Sequence, residues 1–123
     1  MLRCILIVDD HRHIREVLRA FLESQAGFEV CGEAVDGYDA IEKALLLKPD
    51  LILLDMSMPR MDGIETARKL KTLLPRTPIV LFTSHSGALR GFDTRAAGIA
   101  AVIAKDGDMS LLLHSIQGLL QAA

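Results

Sequence analysis

Residues 49–63 read PDLILLDMSMPRMDG. Four consecutive aliphatic residues within them, Leu51 to Leu54, are too few for a buried helix and lie between a Pro-Asp pair and a turn-forming segment. They predict a strand that is covered on both faces. The strand ends at Asp55, and open α/β sheets bind their ligands in the crevice outside the carboxyl ends of the strands. Position alone therefore makes Asp55 a candidate for chemistry.

The same stretch predicts how the chain leaves the sheet. Pro59 neither extends a strand nor fits inside a helix. Asp62 and Glu65 have the spacing of a capping box, with Asp62 as the N-cap. We therefore expect a helix to begin directly after Asp62.

Outward from this stretch, apolar strand segments alternate with segments of helical periodicity. The further strands are expected at residues 4–8, 28–34, 79–82 and 99–104. The helices are expected to carry the apolar sets Ile14, Val17, Leu18, Phe21 and Leu22; Ala40, Ile41, Ala44 and Leu45; and Ile64, Ala67, Leu70 and Leu74. A short, Gly-containing helix is expected within Ser86 to Gly98, and a last helix, capped by Asp108 or Ser110, is expected to run to about Gln121. This alternation predicts an α/β domain with five parallel strands and helices on both faces of the sheet.

Length and composition limit the classes of function. A chain of 123 residues, half of them hydrophobic, is the size of one domain, so residues 1–123 are expected to form a single unit. The net charge of −2 is dispersed, which argues against a nucleic-acid surface, and no apolar run is long enough to cross a membrane. Cys4 and Cys31 lie in apolar runs and are expected to be free thiols. These features favour a cytoplasmic protein.

Polar side chains follow four of the five strands. They are Asp9 and Asp10, Asp55, Thr83 and Lys105. Because the carboxyl ends of parallel strands lie along one edge, three carboxylates, a hydroxyl and an ammonium should meet in one crevice. A hard divalent cation, most plausibly Mg²⁺, would relieve the repulsion between the acids. The set suits phosphoryl transfer, with Asp55 as the nucleophile that forms an aspartyl phosphate and with Asp9 and Asp10 holding metal at the mouth.

These motifs together resemble the receiver domain of two-component response regulators. The residues that carry the resemblance are ILIVDDH at 5–11, LLDMSMPRMDG at 53–63, Thr83-Ser84 and Lys105. The resemblance covers nearly the whole chain and is closest to receivers that precede a helix-turn-helix domain in transcription regulators. It implies a flavodoxin-like, doubly wound sheet of strand order 2-1-3-4-5.

The resemblance also implies residue roles and partners. Asp55 would accept a phosphoryl group from a sensor histidine kinase or a phosphotransfer protein, and Thr83 and Lys105 would bind the phosphoryl oxygens. Mg²⁺ would be held by Asp10, Asp55 and the main-chain carbonyl of Ser57, with Asp9 acting mostly through water. The implied protein is a phosphorelay switch that catalyses its own phosphorylation and dephosphorylation rather than a turnover enzyme. Its output partner would be a second copy of the chain or an output domain.

One departure from the family pattern concerns signalling. Val102 stands three residues before Lys105, where the family mostly has an aromatic residue. An aromatic rotamer switch coupled to Thr83 therefore cannot operate here in its usual form.

Other readings of the sequence stay open. A metal-dependent phosphatase would use the same aspartyl phosphate, although Ser57 stands where such enzymes commonly have a second carboxylate. A flavodoxin-like cofactor protein is disfavoured, because acidic residues after the first strand would repel a cofactor phosphate. A degenerate receiver that acts only as an interaction module is a third alternative.

His11 and His13 do not share a helix face and are expected to be exposed rather than to form a metal pair. At least one of the leucines at 111–113 should point outward, as an isolated exposed side chain or as part of a partner surface.

Overall fold

The computed structural model describes residues 2–84 and 94–121. In this part of the chain, strands and helices follow one another in the expected order. The elements are β1 (Arg3–Val8), α1 (Arg12–Glu23), β2 (Phe28–Ala34), α2 (Gly37–Leu47), β3 (Leu51–Leu54), α3 (Gly63–Leu73), β4 (Ile79–Thr83), β5 (Ile99–Ala104) and α4 (Met109–Gln121). The helix expected within Ser86 to Gly98 falls mostly on residues 85–93, outside the described residues.

All five strands are parallel and form one sheet of order β2-β1-β3-β4-β5. β3 lies at the centre, and its four residues are all buried, because helices cover both of its faces. The predicted α/β fold with strand order 2-1-3-4-5 is confirmed.

The sheet separates two hydrophobic cores. Ala40, Ala44, Ile64, Ala67 and Leu70 of α2 and α3 pack on one face. On the other face, the buried residues of α1 and α4 are Leu18, Leu22, Leu112, Ile116 and Leu120. Burial of these apolar side chains from both sides is the main stabilising term of such a domain.

Two residues assigned to apolar stripes are exposed. Val17 is 46% exposed and Leu45 is 45% exposed, so each stripe is narrower than its sequence pattern predicted. α1 ends at Glu23, and Gly27 lies in the turn before β2 with φ of +93°. The expectation for the last helix is confirmed, because Leu111 is 56% exposed whereas Leu112 is fully buried.

Carboxylate caps begin three of the helices. The Asp62 side chain accepts a hydrogen bond from the Glu65 N–H at 2.9 Å, which confirms the expected start of α3. Asp36 caps α2 in the same way, and the Asp108 carboxylate accepts from the Ser110 N–H at 2.9 Å near the start of α4.

The expectation of free thiols is wrong. Cys4 of β1 and Cys31 of β2 form a disulfide, with their Cα atoms 5.4 Å apart. The register of these two strands shifts between Ile5 and Leu6, and Cys31 is the extra residue of β2 at this irregularity. The argument from free thiols to a reducing compartment therefore no longer holds.

Reduction of the Cys4–Cys31 disulfide is expected to lower the free energy of unfolding by about 2–4 kcal/mol, because the bond closes a long loop in the unfolded chain. Urea unfolding with and without a reductant measures the effect. A Cys4→Ser/Cys31→Ser variant is the control, since its stability should not respond to reductant. Coincident curves for the wild type in both conditions would contradict the prediction.

None of the helices described at residues 2–84 and 94–121 is long and apolar enough to cross a membrane.

Candidate functional site

The chain positions three charged side chains by continuing the sheet one residue beyond its strands. The N–H of Asp9 donates to the Ala34 carbonyl at 3.0 Å, that of Asp55 donates to the Val8 carbonyl at 2.9 Å, and that of Lys105 donates to the Thr83 carbonyl at 2.8 Å. Each backbone is thus held by the neighbouring strand. The side chains of Asp9, Asp55 and Lys105 consequently meet at the carboxyl edge of the sheet.

Lys105 connects two carboxylates that are almost completely buried. Its Nζ lies 2.8 Å from Asp9 Oδ2 and 3.1 Å from Asp55 Oδ1. Asp9 is 1% exposed and Asp55 is 4% exposed. The ammonium also lies 5.9 Å from the centre of the Phe82 ring. An ion triad that spans β1, β3 and β5 therefore forms the floor of the site.

Asp10 and His11 complete the cluster from the β1–α1 turn. One ligand atom from each of Asp9, Asp10, His11 and Asp55 lies within 4.8 Å of all the others. His11 Nδ1 is 3.1 Å from Asp10 Oδ1 and 3.2 Å from Asp9 Oδ1. The exposure expected for His11 and His13 is confirmed, but the contact of His11 with both acids was missed. Its position directly after two acids at a helix start was the available signal.

The electrostatics of the site favour an additional cation. Burial, and then the charge of Asp9, raise the pKa of the Asp55 carboxyl, and the Lys105 ammonium offsets only part of this rise. Burial alone would lower the pKa of Lys105, but its hydrogen bonds and charge interactions with Asp9 and Asp55 raise it. Lys105 is therefore charged at neutral pH and does not fully compensate the effects that raise the pKa of Asp55. A hard divalent ion with oxygen ligands suits such a donor set.

Thr83 and Ser57 lie next to this cluster. Thr83 is the last residue of β4, is 1% exposed, and pairs in register with Ala104, the neighbour of Lys105. Ser57 is exposed in the loop after β3, and its backbone donates a hydrogen bond to Asp55. All the predicted site residues thus lie along one edge. The expectation that Asp9 lies at the mouth needs correction, because Asp9 is 1% exposed, whereas Asp10 is exposed there.

Two contacts hold the loop that follows Asp55, and the sequence did not predict either. The Gly63 N–H donates to the Met56 carbonyl at 2.7 Å, which closes the loop on itself. Arg60, which has a left-handed φ of +70°, donates to the carboxylate of Asp36. Asp36 is 4% exposed and also caps α2, so the loop is tied to a neighbouring helix.

Comparisons with known proteins agree with this geometry. The family model of the response regulator receiver domain matches residues 5–117. The chain is 37% identical over 113 residues to the response regulator protein VraR of Staphylococcus saprophyticus. The aligned region covers 92% of this chain and 54% of that protein. It is also 42% identical over 113 residues to a protein-glutamate methylesterase/protein-glutamine glutaminase of Symbiobacterium thermophilum. This aligned region covers 89% of this chain and 31% of that protein.

A solved structure is similar over nearly the whole chain. The response regulator protein TrrA of Thermotoga maritima, in complex with Mg²⁺ and BeF, is 29% identical with a TM-score of 0.87, and the match covers 96% of this chain and 99% of that one. The curated relatives are longer, since this chain spans only about a third to a half of their length. The match of the family model across most of the chain shows that it belongs to the response regulator receiver domain family.

Proposed function

We propose that this domain is a phosphorylation-dependent switch of a two-component system, in which Asp55 accepts a phosphoryl group from a sensor histidine kinase or a phosphotransfer protein. The ion triad carries the proposal: Lys105 Nζ lies 2.8 Å from Asp9 and 3.1 Å from Asp55 at the carboxyl edge of the sheet. A carboxylate that is buried, partly compensated and supported by a neighbouring ammonium is suited to attack phosphorus.

Asp10, Asp55 and the Ser57 carbonyl are proposed to hold Mg²⁺, with Asp9 contributing mostly through water. The oxygen donors fit this ion, and a cation beside Asp55 would oppose the burial and the Asp9 charge that raise its pKa. Bound there, Mg²⁺ would supply positive charge toward the phosphoryl oxygens. The related TrrA structure, described as a complex with Mg²⁺ and BeF, is consistent with this assignment.

The chain's own residues would then carry the transfer. An oxygen of Asp55 forms a bond to phosphorus while the bond from phosphorus to the donor imidazole nitrogen breaks, and that nitrogen keeps the electron pair. Lys105 neutralises charge on the phosphoryl oxygens, and the Thr83 hydroxyl donates a hydrogen bond to one of them. The switch catalyses its own phosphorylation and slow dephosphorylation, so it is not a turnover enzyme.

The response is proposed to spread from Asp55 to a partner surface. Phosphorylation adds up to about two negative charges and draws in Thr83 and Lys105, which end β4 and follow β5. Val102 of β5 is 37% exposed, so this chain would couple the strands without an aromatic switch at that position. The output partner is proposed to be a second copy or an output domain, and the greater length of the curated relatives supports an output domain. The reaction is proposed to occur in the cytoplasm.

Incubation with acetyl phosphate and Mg²⁺ is expected to add the mass of one phosphoryl group to the wild type and none to Asp55→Asn. Intact-mass spectrometry measures the change. Asp106→Asn is the matched control, because Asp106 is exposed on the turn after β5 and should leave labelling unchanged. A chelator should abolish labelling of the wild type.

The alternatives give different results in the same assay. A degenerate receiver would remain unlabelled in the presence of Mg²⁺, and equal labelling of Asp55→Asn would place the phosphoryl group elsewhere. Steady release of phosphate from phosphomonoesters would favour a phosphatase instead.

A further inference from the structure

Arg15 of α1 makes two hydrogen bonds that connect the candidate site to the edge of the sheet. Its Nη1 donates to the main-chain carbonyl of Asp9 at 2.8 Å, and its Nε donates to Glu33 Oε1 of β2 at 2.9 Å. The side chain is only 13% exposed although it carries a charge. Its guanidinium therefore has one defined orientation rather than the freedom of a surface arginine.

Glu33 fixes that orientation from the other side. Its second oxygen, Oε2, accepts a hydrogen bond from Arg19 Nε at 2.7 Å. Burial alone would raise the pKa of Glu33, but the hydrogen bonds and charges of Arg19 and Arg15 outweigh it and lower this pKa. Glu33 therefore stays ionised well below neutral pH and holds the guanidinium of Arg15 in place.

Arg15 binds the backbone directly before Asp10. The carbonyl of Asp9 belongs to the peptide group between Asp9 and Asp10. This peptide group is rigid and planar. At one end of it, the Asp9 carboxylate binds Lys105, and at the other end the Asp10 carboxylate reaches the mouth of the site. The N–H of Asp9 is held by β2 and its carbonyl is held by Arg15. The direction in which Asp10 leaves the strand is thus set from both ends.

We propose that Arg15 is a positioning residue for the metal site, because its bond to the Asp9 carbonyl directs the carboxylate of Asp10 toward Asp55. The inference rests on the proposed function, since it concerns the affinity of the same site for a divalent cation. Arg15 itself touches neither metal nor phosphoryl group.

The sign of the effect separates positioning from simple electrostatics. By charge alone, removal of an arginine that is bound to the backbone of this acidic cluster should strengthen the binding of a cation. A positioning role predicts the opposite, because Asp10 loses its orientation. Groups that orient metal ligands in this way typically change metal affinity by about tenfold or more.

The test is a titration with Mn²⁺, a paramagnetic probe for the proposed Mg²⁺ site, in which electron paramagnetic resonance measures the free ion. Arg15→Met is expected to weaken Mn²⁺ binding about tenfold. Arg15→Lys keeps the charge but cannot make both hydrogen bonds, so we expect an intermediate affinity. The matched control is Arg12→Met on the same helix, because the Arg12 side chain is 85% exposed and pairs only with Glu16 among the described residues.

Each outcome has a definite meaning. Equal or tighter Mn²⁺ binding by Arg15→Met would overturn the inference and leave the proposed function intact. Absence of Mn²⁺ binding by the wild type would overturn the proposed metal site and the inference with it. Circular dichroism establishes that each variant is folded. If Arg15→Met does not fold, Arg15→Lys provides the test by itself. Its charge is that of the wild type, so an unchanged affinity for Mn²⁺ would reject the positioning role.

Discussion

Gly63→Ala is expected to destabilise the domain by about 2–3 kcal/mol, because the added methyl group has no space. A Cβ at this position would overlap the carbonyl oxygen of Asp55 and would lie 2.8 Å from the Cα of Met56. Both neighbours are backbone atoms and cannot rotate away. The loop after β3 would have to move, and the hydrogen bond from the Gly63 N–H to the Met56 carbonyl would lengthen. Urea unfolding measures the loss.

Gly118→Ala provides the matched control. Gly118 lies inside α4, where an added Cβ meets no atom within 4 Å among the described residues, apart from its chain neighbours and the nearby backbone of the helix itself. The same chemical change should therefore stabilise the protein by up to about 1 kcal/mol through helix propensity. Opposite signs for the two alanine variants are the expected result. A neutral Gly63→Ala variant would show that the close approach to Asp55 is relieved at little cost.

Lys105→Met is expected to lower the free energy of unfolding by about 3–5 kcal/mol near neutral pH, because it leaves Asp9 and Asp55 buried without their cation. Methionine keeps an apolar chain of similar length, so the change mainly removes charge and hydrogen bonds. Lys69→Met is the control for loss of a lysine, since Lys69 forms an exposed helical pair with Glu65 at 3.8 Å and should cost only a few tenths of a kcal/mol.

The pH dependence of Lys105→Met identifies the cause. Burial and the Asp9 charge already raise the pKa of Asp55, so its ionised form destabilises the folded state above that pKa. Without Lys105, the triad has no cation to oppose this rise in the pKa of Asp55. The loss of stability should therefore shrink on acidification, as the Asp55 carboxyl takes up a proton, and it should also shrink in Lys105→Met/Asp55→Asn. A pH-independent loss in the single variant would point to packing instead of charge.

The fold was largely predictable because its signals are local. Leu51 to Leu54 end at a carboxylate, and Asp62 provides a cap for the next helix, so strand, turn and helix follow from neighbouring residues. The convergence of Asp9, Asp55 and Lys105 followed from parallel topology. Their geometric arrangement is now known, whereas their roles in phosphoryl transfer and metal binding remain predictions.

The features that the sequence did not predict depend on register and three-dimensional packing. The Cys4–Cys31 bond depends on a one-residue irregularity between β1 and β2, which no periodicity reveals. The hydrogen bond from Arg15 to the Asp9 carbonyl involves a backbone atom, so residue type carries no signal for it. Val17 and Leu45 had the spacing of core residues but lie at the margins of their helix stripes.

The contact between Lys105 and Asp9 joins residues that are 96 positions apart in the chain. The ion triad at the floor of the site forms only after the first and last strands have joined the same sheet. A fragment that lacks either strand therefore cannot form the site. Binding of an ion or a phosphoryl group at the proposed site would therefore be coupled to the cooperative folding of the whole domain. A rise in the melting temperature with added Mg²⁺ would report this coupling directly, without any label at the site.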